Sequence, residues 1–93
     1  MLQSCETTAR ILKMLAHPRR LQILCHLCGD EKTVGELERL CGASQSQVSQ
    51  FLGRMSSEGL VAGRRTGHHV SYRIEDPQIL ALILSLHKIF CPR

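Results

Sequence analysis

The feature that most constrains this chain is a pair of helical patterns set three residues apart, in "TVGELERLCGASQSQVSQFLGRMSSEG", which begins at Thr33. Thr33 is a good N-cap, and Glu36 stands three residues on, at the capping-box spacing. Together they start a short helix, Val34 to Leu40, that ends at Cys41-Gly42. Gly42-Ala43-Ser44 follows. Ser44 caps a second helix that is expected to run to about Glu58, with Gly59 as a left-handed stop. Two helices joined by a three-residue turn containing glycine form a helix-turn-helix.

The second helix has two contrasting sides. Val48, Phe51, Leu52 and Met55 make one apolar stripe at helical spacing. The opposite side carries Ser46, Ser49, Gln50, Gly53 and Ser57, which are short and uncharged. A merely solvated face is usually rich in Glu and Lys, yet Ser44 to Gly53 carries no charge. Short side chains that donate and accept suit base edges in a major groove, where Gln pairs bidentately with adenine. Arg54 on the same helix, and Arg64 and Arg65 beyond it, would hold phosphates and fix the register.

The flanking segments complete an architecture. Thr7 to Leu15 reads as a helix through Ile11, Leu12 and Leu15. Pro18 opens another, with Leu21, Leu24, Cys25 and Cys28 along one side and Gly29-Asp30 as its stop. After Gly59 the period changes to two. Leu60-Val61 leads to Arg64-Arg65 and Thr66-Gly67-His68-His69. Val70, Tyr72 and Ile74 then alternate with Ser71, Arg73 and Glu75, which reads as a β-hairpin with His68 at its tip. Asp76 and Pro77 start a last helix to about Phe90. The expected fold is mainly α with a β-hairpin wing: a winged helix-turn-helix in the order α-α-α-α-β-β-α, and one domain over residues 1–93.

In the last helix, Ile79 to Leu84 is apolar around most of the circumference, so it must be buried on more than one side. In a chain of 93 residues a partner copy best supplies the second side, and a homodimer seam is expected there, with Ile11 and Leu12. The formal charge of +4 permits a polyanion partner but does not require one. Residues 1–16 lack the apolar centre of a secretory signal, and no apolar run reaches the ~18 residues that cross a bilayer. A cytoplasmic location without membrane attachment is the expectation. A reducing compartment does not keep structural disulfides, so the five cysteines are either buried apolar residues or sites of redox or metal chemistry.

"LAHPRRLQIL", "TVGELERLCGASQSQVSQFLGRMSSEGLV" and "RRTGHHVSYRI" together resemble the ArsR/SmtB family of bacterial repressors over nearly the whole chain. The resemblance implies a homodimer that binds double-stranded operator DNA and leaves it when an inducer is sensed. The family's base-contacting positions fall on Gln45, Ser46, Ser49 and Gln50. Most members have histidine where this chain has Phe51, which implies a lost contact. The family's metal sites fit poorly: Glu38 and Leu40 stand where one type needs cysteines, and Gln78 stands where another needs histidine. "RLQILCHL" and "KIFCPR" match the sulfide- and persulfide-responsive branch. Cys25 and Cys91 are thereby implied as a redox-sensing pair, oxidised to a disulfide or polysulfide by reactive sulfur species.

Other readings use the same residues. A metal or metalloid sensor would draw on Cys25, Cys28, Cys41 or Cys91 with a histidine. A small dithiol oxidoreductase would use Cys25 and Cys28, but no βαβ pattern surrounds that CxxC, so no enzymatic activity and no cofactor are expected. A constitutive DNA binder would have no sensor. Cys28 reads as a core or partly exposed packing residue, Cys41 as a packing residue or a loop thiol, and Cys5 as an exposed thiol.

Overall fold

The structure is a computed structural model that describes residues 2–90, with the side chains of residues 4–90. Its elements are α1 (Leu2–Leu15), α2 (Pro18–Leu27), β1 (Lys32–Thr33), α3 (Val34–Cys41), α4 (Gln45–Ser57), β2 (Val61–Thr66), β3 (His69–Ile74) and α5 (Pro77–Phe90). This is a winged helix-turn-helix with two differences from the expected order. Helix α1 starts earlier than Thr7, and the short strand β1 precedes α3.

Strand β1 joins the hairpin to give an antiparallel sheet in the order β1-β3-β2, with Lys32 opposite Tyr72 and Thr33 opposite Ser71. Two residues carry no readable alternation, and β1 exists because β3 offers a free edge beside it. Thr33 also accepts from the Glu36 N–H at 3.2 Å, while the Glu36 carboxylate accepts from the Thr33 N–H at 2.8 Å, closing the capping box. The last strand residue is therefore also the N-cap of α3.

The helix-turn-helix forms as its residues require. At φ +63°, Gly42 adopts the left-handed conformation that only glycine takes without strain. The Gly42 and Ala43 N–H groups both reach the Glu38 carbonyl and close α3. Ser44 then opens α4 with a second capping box, its partner being Gln47 at 3.2 Å in both directions.

The core lies where α2, α3, α4 and α5 converge over the root of the hairpin. Its fully enclosed side chains are Ile23, Leu24, Leu37, Val48, Leu52, Met55, Ile79 and Ile83. On α2 the buried side is Arg20, Ile23, Leu24 and Leu27. This corrects the expected stripe of Leu21, Leu24, Cys25 and Cys28, because Cys25 is exposed. At 3.6 residues per turn Cys25 lies roughly opposite the line through Ile23 and Leu27. Helix α1 is the least anchored: among its described side chains only Leu15 is buried.

Candidate nucleic-acid interface and thiol site

Helix α4 displays what its sequence suggests. Val48, Leu52 and Met55 are fully enclosed, while Gln45, Ser46, Ser49, Gln50, Gly53 and Arg54 are exposed. Phe51 is half-buried, its ring against that of His17. It is an internal packing residue at the edge of the exposed face. His17 is itself the N-cap of α2, with Nδ1 accepting from the Arg19 N–H at 3.1 Å.

The wing stands beside this face. In the hairpin Arg64 is opposite Ser71, Arg65 opposite Val70 and Thr66 opposite His69. Gly67 and His68 form the tip, with Gly67 at φ +63°, a conformation suited to a tight two-residue turn. Arg65 and His68 are exposed. Arg64 is also exposed, but its Nη2 lies 3.1 Å from Glu31 Oε1, so its charge is already shared. Gly63 has the Tyr72 ring over it, and an added Cβ would come within 3.0 Å of that ring.

Two arginines near the start of α2, which sequence alone could not place, are structural. Arg20 is buried, donates to the Met14 carbonyl at 2.8 Å and lies 3.9 Å from Glu58. Arg19 donates to the Cys41 carbonyl and, at 3.0 Å, to Gln22.

The thiols occupy different environments. Cys5 is exposed, Cys41 is buried in the core and Cys28 is half-buried. Burial pushes the Cys28 thiol above its usual 9.0, and a neighbouring charge on Cys25 adds to this. Burial also raises Cys41, against an opposing pull from Arg19. Cys25 and Cys28 open onto a shallow cavity of about 230 Å³, shared with Gly29 and with Leu84 and His87 of α5. The sequence gives no hint of this pocket, or of His87 in its wall, because the two helices meet only in the fold. Cys91, the expected partner of Cys25, lies outside the described residues. Among the described residues no three of His, Cys, Asp and Glu gather as a metal site, and no helix is long and apolar enough to cross a membrane.

A helix-turn-helix with an exposed polar second helix and a basic wing defines a DNA-binding regulator. Residues 17–62 match the model of the arsR family of bacterial regulatory proteins. The chain is 42% identical to the HTH-type transcriptional regulator YgaV of Escherichia coli, across 96% of this chain and 91% of that protein. It is 40% identical to the biofilm growth-associated repressor of Xylella fastidiosa, across 89% and 73% of the two chains. The structure of reduced HlyU from Vibrio cholerae superposes with a TM-score of 0.92 at 37% identity, covering 98% and 96%. The chain belongs to the arsR family of transcriptional regulators.

Proposed function

We propose that this protein is a cytoplasmic, homodimeric repressor that holds operator DNA while Cys25 and Cys91 are thiols and releases it when reactive sulfur species oxidise them. One observation carries the sensing part: Cys25 is exposed on α2 and shares its cavity with α5, the helix that runs on to Phe90, the residue before Cys91. The names of two relatives support the reading, one a repressor and the other solved in a reduced form.

The chemistry balances with a persulfide as oxidant. A Cys25 thiolate attacks the outer sulfur of R–S–SH, the S–S bond breaks, and RSH leaves with the proton that Cys25 gave up. The Cys25 persulfide is then attacked by Cys91, which forms the protein disulfide and expels hydrogen sulfide. If both cysteines are persulfidated first, the outer sulfur of one attacks the inner sulfur of the other, that S–S bond breaks, and a trisulfide forms as hydrogen sulfide leaves.

The dimer reading rests on apolar surface. Leu12, Leu84, Ile89 and Phe90 are 49–74% exposed on α1 and α5. A second copy laid on these helices would remove that surface from water, and it would set the distance between two recognition helices to one helical turn of DNA, ~34 Å. A bridge between α2 and α5 would disturb this seam and thereby the spacing. Gln45, Ser46, Ser49 and Gln50 would read bases, and Arg54, Arg64, Arg65 and His68 would hold the backbone.

The test is a DNA-binding titration of reduced and persulfide-treated protein beside the Cys25→Ser variant, with intact mass measured on each sample. We expect release of the parent, with loss of two hydrogens or gain of sulfur, and no release of the variant. A variant that responds like the parent refutes the sensor and leaves a constitutive DNA binder. Stoichiometric zinc binding that frees DNA would instead favour a metal sensor.

A further inference from the structure

The exposed face of α4 does not account for the cleft beside it. A cavity of about 440 Å³ separates the end of α1 and the start of α2 from α4, with Lys13, His17, Arg20, Gln50, Phe51 and Arg54 in its walls. Among the described residues no acidic one lines it. Arg20 is engaged with the Met14 carbonyl and Glu58. Lys13 and Arg54, among the described residues, have no carboxylate within ion-pairing distance. His17 uses Nδ1 as an acceptor for the Arg19 N–H, so a neutral ring carries its proton on Nε2 and offers a donor there. A concave wall of cations and donors beside the recognition helix favours an anion.

A second cavity, of about 520 Å³, lies between Gln45, Glu38 and Arg39 of α3, and His68 and His69 of the wing, and its wall carries a carboxylate beside the guanidinium. A helix in a major groove roughly 12 Å wide has a sugar-phosphate strand on each side. Of these two cavities, the one between α1 and α4 has a described lining with cations and no carboxylate, which suits a strand on that side.

We infer that the cavity between α1 and α4 seats a DNA backbone phosphate, with Lys13 and Arg54 as cationic clamps and His17 as a donor through Nε2. This rests on α4 being the recognition helix. It gives α1 a second role beyond the subunit seam, as one jaw of the DNA contact.

The test uses the full chain and a random 30-base-pair duplex, so that no operator need be known. Binding is measured by fluorescence anisotropy across a salt series for the parent, Lys13→Met, Arg54→Met and the control Lys88→Met on α5. Each lost phosphate contact lowers the slope of log K against log[salt] by about 0.9, so the parent's affinity falls about threefold more than a clamp variant's between 50 and 200 mM salt. We expect that change for Lys13→Met and Arg54→Met and a parental slope for Lys88→Met. A parental slope for Lys13→Met overturns the inference while leaving α4 as the reading helix. No duplex binding by the parent would overturn both. Thermal stabilisation of the parent by millimolar inorganic phosphate, lost in Lys13→Met while the DNA slope stays parental, would make the cavity a small-anion site and also overturn it.

Discussion

The ring of Phe51 on α4 lies against the ring of His17, with centroids 4.9 Å apart and planes inclined by 54°. The family resemblance leads one to expect histidine at the position of Phe51. Here the side chain turns away from the exposed face and ties α4 to the cap of α2. Replacing Phe51 by alanine should cost about 1–2 kcal/mol, less than the ~3–5 kcal/mol of a fully buried ring, because this one is half-buried. The melting temperature should fall by roughly 5–15 °C, and Phe51→Leu should restore most of the loss.

The polar side of α4 and the wing should fail in different ways. Ser46→Ala and Gln50→Ala should each weaken operator binding by ~1–3 kcal/mol and leave random DNA unaffected. Arg65→Ala should weaken binding to every sequence. Arg64→Ala should do so less, because Arg64 must leave Glu31 before it can meet a phosphate. Equal affinity of the parent for operator and random duplexes in gel shifts would remove the base-reading role of α4.

The start of α4 depends on a reciprocal pair. Ser44→Ala removes the acceptor for the Gln47 N–H and should cost about 1 kcal/mol in urea unfolding, while Ser44→Asp should cost little. Gln47→Ala leaves the Ser44 N–H unbonded and should cost less than Ser44→Ala, since that group is exposed to water.

Burial of the thiols sets a pH dependence. Cys28 and Cys41 are held above the usual 9.0, so the fold favours their neutral forms. Their contribution to stability is complete below about pH 9 and is lost as pH rises through the raised folded values. Melting temperature should decline as the pH is raised above 9, and less so in Cys28→Ser than in the parent. At neutral pH iodoacetamide should label exposed Cys5 and Cys25 well before Cys28 and Cys41.

The proposed subunit seam can be tested without touching the thiols. Leu12→Asp places a charge on an exposed apolar position of α1 and should yield a folded monomer in analytical ultracentrifugation. Its operator affinity should fall steeply, because one half-site contact replaces two.

Much of this architecture is legible in the sequence because its signals are local. Thr33 with Glu36, Gly42 and Ser44 mark the helix-turn-helix by chemistry that acts within four residues, and the stripe Val48–Leu52–Met55 fixes which side of α4 is buried. The Ser44–Gln47 spacing also announces a capping box, although the expected helix start rests on the serine alone. Strand β1 is not legible, since two residues pair only because β3 comes to meet them. The side of α2 is misleading because Leu21 and Cys28 are apolar enough to suggest a stripe, whereas the core selects Ile23 and Leu27 and admits Arg20, whose charge finds Met14 and Glu58. The clefts beside α4 join residues from distant parts of the chain, which no spacing rule connects.

Thr33 faces Ser71 of the wing while holding the first turn of α3. A residue shared in this way leaves no hinge between the hairpin and the helices behind it. Each half of an assembled regulator would then meet DNA as one stiff jaw, and an inducer could loosen the grip by tilting whole jaws against each other, with the wing following its own helices and never folding back alone.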